Sequence, residues 1–274
     1  MNSSSISDNF KVAAVQMVSS TSVDDNLETA MTLIDQAVSR GAELVVLPEY
    51  FCFLGRRDSD KLKMRENPGT GAIQEFLLAQ ASRHKIWLVG GTLPLACPDA
   101  GRIYNASLVY SPDGAQVARY DKVHLFSFRR GAEAYDEAVS IRPGDNRPQS
   151  FFAPCGRVGM AICYDLRFPE FFRALGDVNL IVMPAAFTYT TGKAHWEVLV
   201  RARAVENQCY VLASAQGGTH ENGRRTWGHS MLVDPWGEIV AVLAEGPGVV
   251  SGAVNAQRLL EVRQSLPALK HRTM

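Results

Sequence analysis

The sequence has no excess of charge of either sign: 28 Lys and Arg residues balance 28 Asp and Glu residues. Proteins that bind nucleic acid or anionic membranes carry a strongly basic surface, so this balance argues against both classes. The most apolar stretch, residues 178–187, is interrupted by Asn179 and Pro184 and is too short to cross a bilayer. Residues 1–9 lack the apolar core of a signal peptide. We expect them to form a flexible N-terminal arm of a cytoplasmic protein.

Cysteine is sparse, and its pattern argues against two of its usual structural uses. The cysteines are odd in number and widely spaced without any C-x-x-C motif: Cys52, Cys97, Cys155, Cys163 and Cys209. This pattern disfavours both a disulfide framework and a zinc finger. It is typical of a reducing compartment, in which one thiol can be kept for its reactivity.

Motifs of several enzyme classes are also missing. The phosphate-binding G-x-x-x-x-G-K-[ST], the dinucleotide-binding G-x-G-x-x-G and the serine hydrolase G-x-S-x-G do not occur. The histidines show neither H-x-H nor H-E-x-x-H spacing, so no metal site is expected. Internal repeats and linkers rich in Pro, Gly or Ser are absent as well. A single domain over residues 1–274 is the simplest interpretation.

Short, continuously apolar runs alternate with helical segments, and such runs predict strands that are covered on both faces. The predicted strands cover residues 12–18, 43–47, 86–90, 104–110, 116–120, 149–153, 157–162, 178–183, 210–215, 230–234, 238–243 and 248–254. The predicted helices cover residues 26–40, 72–84, 169–175 and 193–208, the first capped by Asp24 or Asp25 and ended by Gly41. This alternation predicts mixed sheets with helices outside them in layers.

Three chemically different side chains follow the ends of predicted strands: Glu49, Lys122 and Cys163. Ligands of α/β sheets bind beyond the carboxyl ends of strands, so these side chains are candidates for one site. There the thiolate would attack an acyl carbon and the carboxylate would accept its proton. The ammonium and the Tyr164 N–H would stabilise the oxyanion. Taken singly, each residue also fits an ordinary role as a buried cysteine or a solvated loop charge.

The segments around these residues are LPEYF (47–51), YDKVHLF (120–126) and GMAICYDLRFPE (159–170). In wording and order they resemble the three signature blocks of the nitrilase, or carbon–nitrogen hydrolase, superfamily. The resemblance extends from about Lys11 to Arg272. It implies an α/β fold, the four-layer-forming α-β-β-α sandwich of the nitrilase type. It also implies assembly as a homodimer or homotetramer.

The resemblance assigns roles to individual residues. It makes Glu49 the general base, Lys122 the oxyanion stabiliser and Cys163 the nucleophile, with no cofactor required. The superfamily often has a second glutamate between the lysine and the cysteine. Glu137 aligns best with it because the Pro-Gly-Asp end of its segment is shared, and Glu133 is the competing candidate.

Two further segments narrow the resemblance to one branch of the superfamily. Residues 184–216 and 228–241 resemble the branch of deaminated glutathione amidases and omega-amidases, with the wording closer to the former. This implies cleavage of the α-keto analogue of glutathione to 2-oxoglutarate and Cys-Gly, a metabolite-repair reaction. The alternatives are 2-oxoglutaramate, another small amide or N-carbamoyl substrate, or a non-catalytic binding protein on the same fold. Arg129 and Arg130, where many relatives are more acidic, either favour an anionic leaving group or are solvated.

Four residues are candidates for substrate binding, and the expected partner is a small amide, without nucleic acid or membrane. Arg167, four residues past Cys163, would bind a substrate carboxylate with two hydrogen bonds unless it caps the following helix. Phe187 and Thr191 resemble substrate-side positions of the branch, although ordinary packing would also explain Phe187. Tyr164 would contribute its backbone N–H.

Overall fold

The computed structural model describes residues 7–131 and 133–273, in which short strands and a few longer helices alternate. The strands are β1 (Asn9–Gln16), β2 (Leu44–Val46), β3 (Trp87–Val89), β4 (Leu93–Ala96), β5 (Ile103–Tyr110), β6 (Gln116–Asp121), β7 (Ser127–Arg130), β8 (Glu133–Asp136), β9 (Ser150–Ala153), β10 (Gly156–Met160), β11 (Leu180–Ala185), β12 (Tyr210–Ala215), β13 (Ser230–Val233), β14 (Ile239–Leu243) and β15 (Gly248–Asn255). The α-helices are α1 (Val23–Ser39), α2 (Ala72–His84), α3 (Pro169–Ala174), α4 (Tyr189–Asn207) and α5 (Ala256–Ser265). Short 3₁₀ helices cover Asp58–Leu62, Glu137–Val139, Cys163–Arg167 and Ala268–His271.

The strands form two large mixed sheets and one separate hairpin. The first sheet has the order β15-β1-β2-β3-β5-β4, and β6 pairs with β5. The second sheet has the order β14-β13-β12-β11-β10-β9. The separate hairpin consists of β7 and β8. The pairs β1–β2, β2–β3, β10–β11 and β11–β12 are parallel, so the carboxyl ends of neighbouring central strands lie together in each sheet.

The two sheets pack face to face, and helices cover their outer faces. In β1, Val12 and Ala14 belong to the core shared with the second sheet, whereas Ala13 and Val15 belong to the core under α1 and α2. Helices α3 and α4 cover the second sheet, with Trp196 among the buried side chains. Because the central strands are buried on both faces, their sequences are continuously apolar. The predicted α-β-β-α sandwich is confirmed.

Two helix starts differ from the prediction. Helix α1 is capped by Ser22, whose hydroxyl accepts the Asp25 N–H at 3.2 Å, so neither Asp24 nor Asp25 is its cap. The two aspartates lie in the first turn, where negative charge is also favoured by the helix dipole. Helix α4 begins at Tyr189, four residues before the predicted Lys193, because Thr188 caps it.

Four elements were not predicted from the sequence because of their length or composition. Strands β4, β7 and β8 and helix α5 are short or polar, so they lack a strong apolar periodicity. The end of the expected arm belongs to the fold, since β1 begins at Asn9 and the Ser7 amide donates to the Pro154 carbonyl at 2.9 Å. Residues 1–6 of that arm lie outside the described residues. No α-helix in the described ranges has the length and apolar character needed to cross a bilayer.

Candidate active site

The three side chains singled out from strand ends meet where the two sheets face each other. Glu49 follows β2 and Lys122 follows β6, both in the first sheet, whereas Cys163 follows β10 in the second. Glu49 and Cys163 line the same cleft, whose wall combines apolar side chains with a few polar ones, as is typical of small-molecule sites. The Lys122 side chain is completely buried beside Glu49. The site is therefore assembled from both sheets rather than along one sheet edge.

Lys122 lies between two carboxylates. Its Nζ is 2.8 Å from Glu49 Oε1, 2.8 Å from Glu137 Oε2 and 3.0 Å from Glu137 Oε1. The contacts to Glu49 Oε1 and Glu137 Oε1 are hydrogen bonds, and the contact to Glu137 Oε2 is an ion pair. A buried cation held by two carboxylates keeps its position and its charge, which an isolated buried lysine would not.

The surroundings separate the pKa values of these groups. Burial raises the pKa of Glu49 above its usual value of 4.5, and Lys122 opposes this rise only in part. Burial also acts to raise the pKa of Glu137, but Lys122 and Lys61 lower it below its usual value. Burial alone would lower the pKa of Lys122, yet Glu137 and Glu49 hold it well above its usual range. Of the two carboxylates, Glu49 is consequently the better proton acceptor.

Cys163 occupies a strained turn that is held from one side by a buried carboxylate. Its φ is +47°, in the left-handed region, which costs a non-glycine residue about 1–3 kcal/mol. Asp165 Oδ2 accepts the Ile162 N–H and the Tyr120 hydroxyl, each at 2.8 Å. Asp165 Oδ1 lies 2.7 Å from His124 Nδ1. These contacts offset the strain and fix the direction of the thiol.

The surroundings of Cys163 favour the protonated form of its thiol. Burial raises its pKa well above the usual value, and Glu49 raises it further. Lys122 and the backbone amide of Ala186 act in the opposite direction. A hydrogen bond from the thiol to Glu49 also lowers the pKa of that carboxyl, although by less than burial raises it. The neighbour positioned to take the thiol proton is therefore Glu49.

The structure brings Glu137, and not Glu133, next to Lys122. Glu137 begins the 3₁₀ helix after β8, and its Oε2 accepts the Phe126 N–H at 2.7 Å. Glu133 lies four residues earlier in the hairpin, and its Oε2 accepts the Thr190 hydroxyl at 2.8 Å. The choice between the two glutamates is thus decided by where the hairpin ends.

All four predicted substrate-side residues, Tyr164, Arg167, Phe187 and Thr191, line the cleft. The Arg167 guanidinium lies 5.5 Å from the Phe187 ring centroid and 5.8 Å from that of Tyr164. Its Nη1 is 3.2 Å from His195 Nδ1 on α4. The Thr191 hydroxyl lies 2.9 Å from that of Thr188, so it contributes to the helix cap as well as to the wall.

Two residues that sequence reasoning missed hold the carboxylates. Asn105 is buried, and its Nδ2 donates to Glu49 Oε1 at 2.9 Å. The Tyr50 hydroxyl donates to Glu137 Oε1 at 2.7 Å. An amide within the apolar strand β5 is a signal that could have drawn attention to Asn105. Tyr50 directly follows Glu49, but its φ of +57° is visible only in the structure.

The charged residues around the cleft also differ from expectation. Within the described residues, the cleft lining does not include Arg129 or Arg130, which are exposed on β7, so the solvated alternative holds for them. Arg224 and Arg225, on the loop between β12 and β13, line the cleft instead. Over residues 7–131 and 133–273, no group of three or more His, Cys, Asp or Glu side chains is arranged to hold a metal ion.

Comparison with known proteins identifies the class to which this fold and site belong. The model of the carbon–nitrogen hydrolase family matches residues 11–264, and the chain belongs to that family. It is 42 % identical over 268 residues to the deaminated glutathione amidase of Synechocystis sp. (strain PCC 6803 / GT-S), a match that covers 96 % of this chain and 98 % of that protein.

Solved structures agree with this assignment. The fold resembles the C. elegans NitFhit protein with a TM-score of 0.88 and 36 % identity, covering 97 % of this chain and 66 % of that one. This chain therefore spans about two thirds of NitFhit. It also resembles Saccharomyces cerevisiae Nit3, a member of branch 10 of the nitrilase superfamily, with a TM-score of 0.87, 33 % identity and 98 % coverage of both chains.

Proposed function

We propose that this protein is a thiol amidase that hydrolyses the amide of deaminated glutathione to 2-oxoglutarate and Cys-Gly. The observation that carries the chemistry is a buried lysine 2.8 Å from Glu49 beside the strained, cleft-lining Cys163. The 42 % identity to a relative named deaminated glutathione amidase supports this substrate.

In the proposed acylation step, Cys163 Sγ attacks the amide carbonyl carbon while Glu49 takes the thiol proton. Lys122 and the Tyr164 N–H stabilise the resulting oxyanion. In the resting site Lys122 is engaged by two carboxylates. Protonation removes the charge of Glu49 and loosens that contact, which makes one N–H of Lys122 available to the oxyanion.

The tetrahedral intermediate then collapses. The carbon–nitrogen bond breaks, Glu49 returns its proton to the leaving nitrogen, and the 2-oxoglutaryl group remains on Cys163 as a thioester. Glu49, again ionised, accepts a proton from water as the water oxygen attacks the thioester carbonyl. In the breakdown of this second intermediate the carbon–sulfur bond breaks, Glu49 returns its proton to Cys163 Sγ, and 2-oxoglutarate is released. Glu137 keeps Lys122 charged and in place throughout, since its low pKa keeps it ionised.

The acyl part of the substrate is assigned to the wall formed by Arg167 and Phe187. The guanidinium offers paired N–H donors that match the carboxylate of a 2-oxo acid. Phe187 is 5 % exposed and presents an apolar surface to the methylene carbons. Thr191 adds a hydroxyl to the same wall.

Replacement of the nucleophile, Cys163→Ala, tests the proposal. Turnover of deaminated glutathione should fall at least about a thousandfold. Intact-mass measurement should detect a 2-oxoglutaryl adduct on the wild type and none on the variant. Cys97→Ala, which changes a half-buried thiol outside the cleft, is the matched control and should leave both readouts unchanged.

The wild-type kcat/KM values separate the alternative functions, because this ratio defines specificity. The kcat/KM for deaminated glutathione should exceed the values for 2-oxoglutaramate and N-carbamoyl compounds. A higher kcat/KM for 2-oxoglutaramate than for deaminated glutathione would establish an omega-amidase. If none of these amides is hydrolysed, the proposed function is wrong and a binding protein on this fold becomes the better explanation.

We also propose a cytoplasmic homodimer or homotetramer. All five cysteines are free, as expected in a reducing compartment. Val198 and Val205 on α4 and Val240 and Val242 on β14 are exposed apolar residues, which supports pairing of copies through this region. Sedimentation equilibrium of the full chain tests the assembly, and a monomer at micromolar concentration would contradict it.

A further inference from the structure

The cleft is lined by three arginines, Arg167, Arg224 and Arg225. Arg225 is paired with Glu245 at 3.2 Å, so Arg167 and Arg224 are the two considered for substrate binding. Arg167 follows the nucleophile and contacts Tyr164, Phe187 and His195. Arg224 comes from the loop after β12, so it lines the cleft from a separate segment of the chain. The wall formed by Arg167 and Phe187 is already assigned to the acyl part of the substrate. The part of the cleft lining around Arg224, called the Arg224 wall below, has no assigned function yet.

Arg224 is held in place on its own wall. Its Nη1 donates to Asp58 Oδ1 at 3.1 Å, and its guanidinium carbon lies 4.6 Å from the Tyr135 ring centroid. The side chain lines the cleft and is 33 % exposed, so a ligand can reach it although it is not fully solvated. A guanidinium has five N–H donors, and the pair with Asp58 does not exhaust them. Arg224 is thus oriented and still able to bind a second carboxylate.

The Arg224 wall lies on the glutamate side of the cleft. Tyr50, whose hydroxyl bonds to Glu137, lines the same cleft as Arg224, and the two residues also line a smaller neighbouring pocket together. In the proposed reaction Glu49, next to Glu137 through Lys122, returns the proton to the leaving nitrogen. With Glu49 as proton donor to the leaving nitrogen, the leaving part of the substrate would extend past Tyr50 toward Arg224.

We propose that Arg224 binds a carboxylate carried by the leaving amine and so selects amides whose leaving group is an amino acid or a short peptide. This inference rests on the proposed function and deepens it. With Arg167 at the acyl end, the cleft would match a substrate with a carboxylate at each end. An amide that releases ammonia has no group for Arg224 to bind, so Arg224 favours deaminated glutathione over 2-oxoglutaramate.

The test compares three substrates in wild type and in Arg224→Gln: deaminated glutathione, the same compound with its terminal carboxylate converted to a primary amide, and 2-oxoglutaramate. The wild type should prefer the carboxylate form over its amide by about 10- to 100-fold in kcat/KM, as one charged hydrogen-bonded pair provides. Arg224→Gln should lower kcat/KM for the carboxylate form by a similar factor. It should change kcat/KM for the other two substrates less than about threefold.

Two further variants make the result specific. Arg129→Gln removes the same charge from an exposed position on β7 outside the cleft and should leave all three substrates unchanged. Arg224→Lys keeps the charge and should retain part of the preference, which a purely structural role would not produce.

The inference is overturned if Arg224→Gln lowers kcat/KM for all three substrates equally, or if the wild type does not distinguish the carboxylate from the amide form. Loss of the preference in Arg129→Gln would also overturn it. The wild-type comparison needs no variant, so it decides the matter even if a substitution prevents folding. Failure of the wild type to hydrolyse any 2-oxo amide would instead refute the proposed function, and the two failures are therefore distinguishable.

Discussion

The Tyr50 hydroxyl donates a 2.7 Å hydrogen bond to Glu137 Oε1, and Glu137 in turn lies 2.8 Å from Lys122 Nζ. Tyr50→Phe removes this donor without opening a large cavity. Hydrogen bonds to charged groups contribute about 1.5–3 kcal/mol, so we expect kcat to fall about tenfold or more. KM should change less than about twofold, because the hydroxyl positions Glu137 rather than the substrate. Steady-state kinetics on the preferred amide provides the measurement.

Tyr104→Phe is the control for this prediction. Tyr104 lies on β5, and its ring centroid is 5.4 Å from the guanidinium carbon of Arg119, away from the cleft lining. This variant should have the kinetics of the wild type. An unchanged kcat in Tyr50→Phe would show that Glu137 and Lys122 keep their geometry without Tyr50.

Glu49 should set the acidic limb of the pH profile. A general base must be ionised, so activity is lost as pH falls through its pKa, and burial places that pKa above the usual 4.5. Asn105 donates to the ionised carboxylate at 2.9 Å, so Asn105→Ala should raise the pKa of Glu49 further. The acidic limb of kcat/KM should then move to higher pH. Activity on that limb should be about three- to tenfold lower than in the wild type.

The alkaline side of the same profile provides the comparison. Where Glu49 is ionised in both proteins, Asn105→Ala and the wild type should converge. A uniform loss at every pH would mean that Asn105 supports the fold of β5 and β6 rather than the ionised state of Glu49. Circular dichroism at each pH confirms that both proteins remain folded.

Gly192, in the first turn of α4, should contribute to the stability of the fold. A Cβ at this position would lie 2.2 Å from the Cβ of Trp227, whose ring stacks on His229 with centroids 4.2 Å apart. Alanine favours a helix over glycine by about 1 kcal/mol, but forced overpacking typically costs about 1–3 kcal/mol. Because Trp227 is held by its stack, the overpacking cost should lie at the upper end of this range, about 3 kcal/mol. We therefore expect Gly192→Ala to lower the free energy of unfolding by about 2 kcal/mol net.

Urea unfolding measures this change, and Gly101→Ala is the matched control. At Gly101 the nearest atom to an added Cβ is Asp99 Oδ1 at 3.5 Å, an ordinary contact. Its effect should stay within about 0.5 kcal/mol. Equal stability of Gly192→Ala and the wild type would mean that Trp227 can move, and with it the adjoining wall of the cleft.

Much of the layered fold could be predicted from the order of apolar runs. Helix α2 has the predicted bounds, 72–84, because its apolar residues recur at helical spacing. The hairpin β7–β8 was not predicted, since its residues are mostly exposed and charged and no face of it is continuously apolar. This hairpin is important for the site, because Glu137 is the residue that directly follows β8.

The cysteines show where prediction from residue type ends. Burial raises the pKa of Cys155 and Cys209 to about 12, and it raises that of Cys163 as well, so burial does not distinguish them. Cys163 differs in its strained φ and in having Glu49 and Lys122 as neighbours. The resemblance in the sequence singled out Cys163, but the contacts that distinguish it from the other cysteines are tertiary.

The sequence by itself determined the family, the α-β-β-α layering and the positions of Glu49, Lys122 and Cys163, because short-range patterns and motif wording are local properties. Only the tertiary structure decided that Glu137 rather than Glu133 contacts Lys122. It also decided that Arg224 rather than Arg129 reaches the cleft. These choices depend on how two sheets and their loops pack against each other, and residues far apart in the chain carry no local signal of meeting.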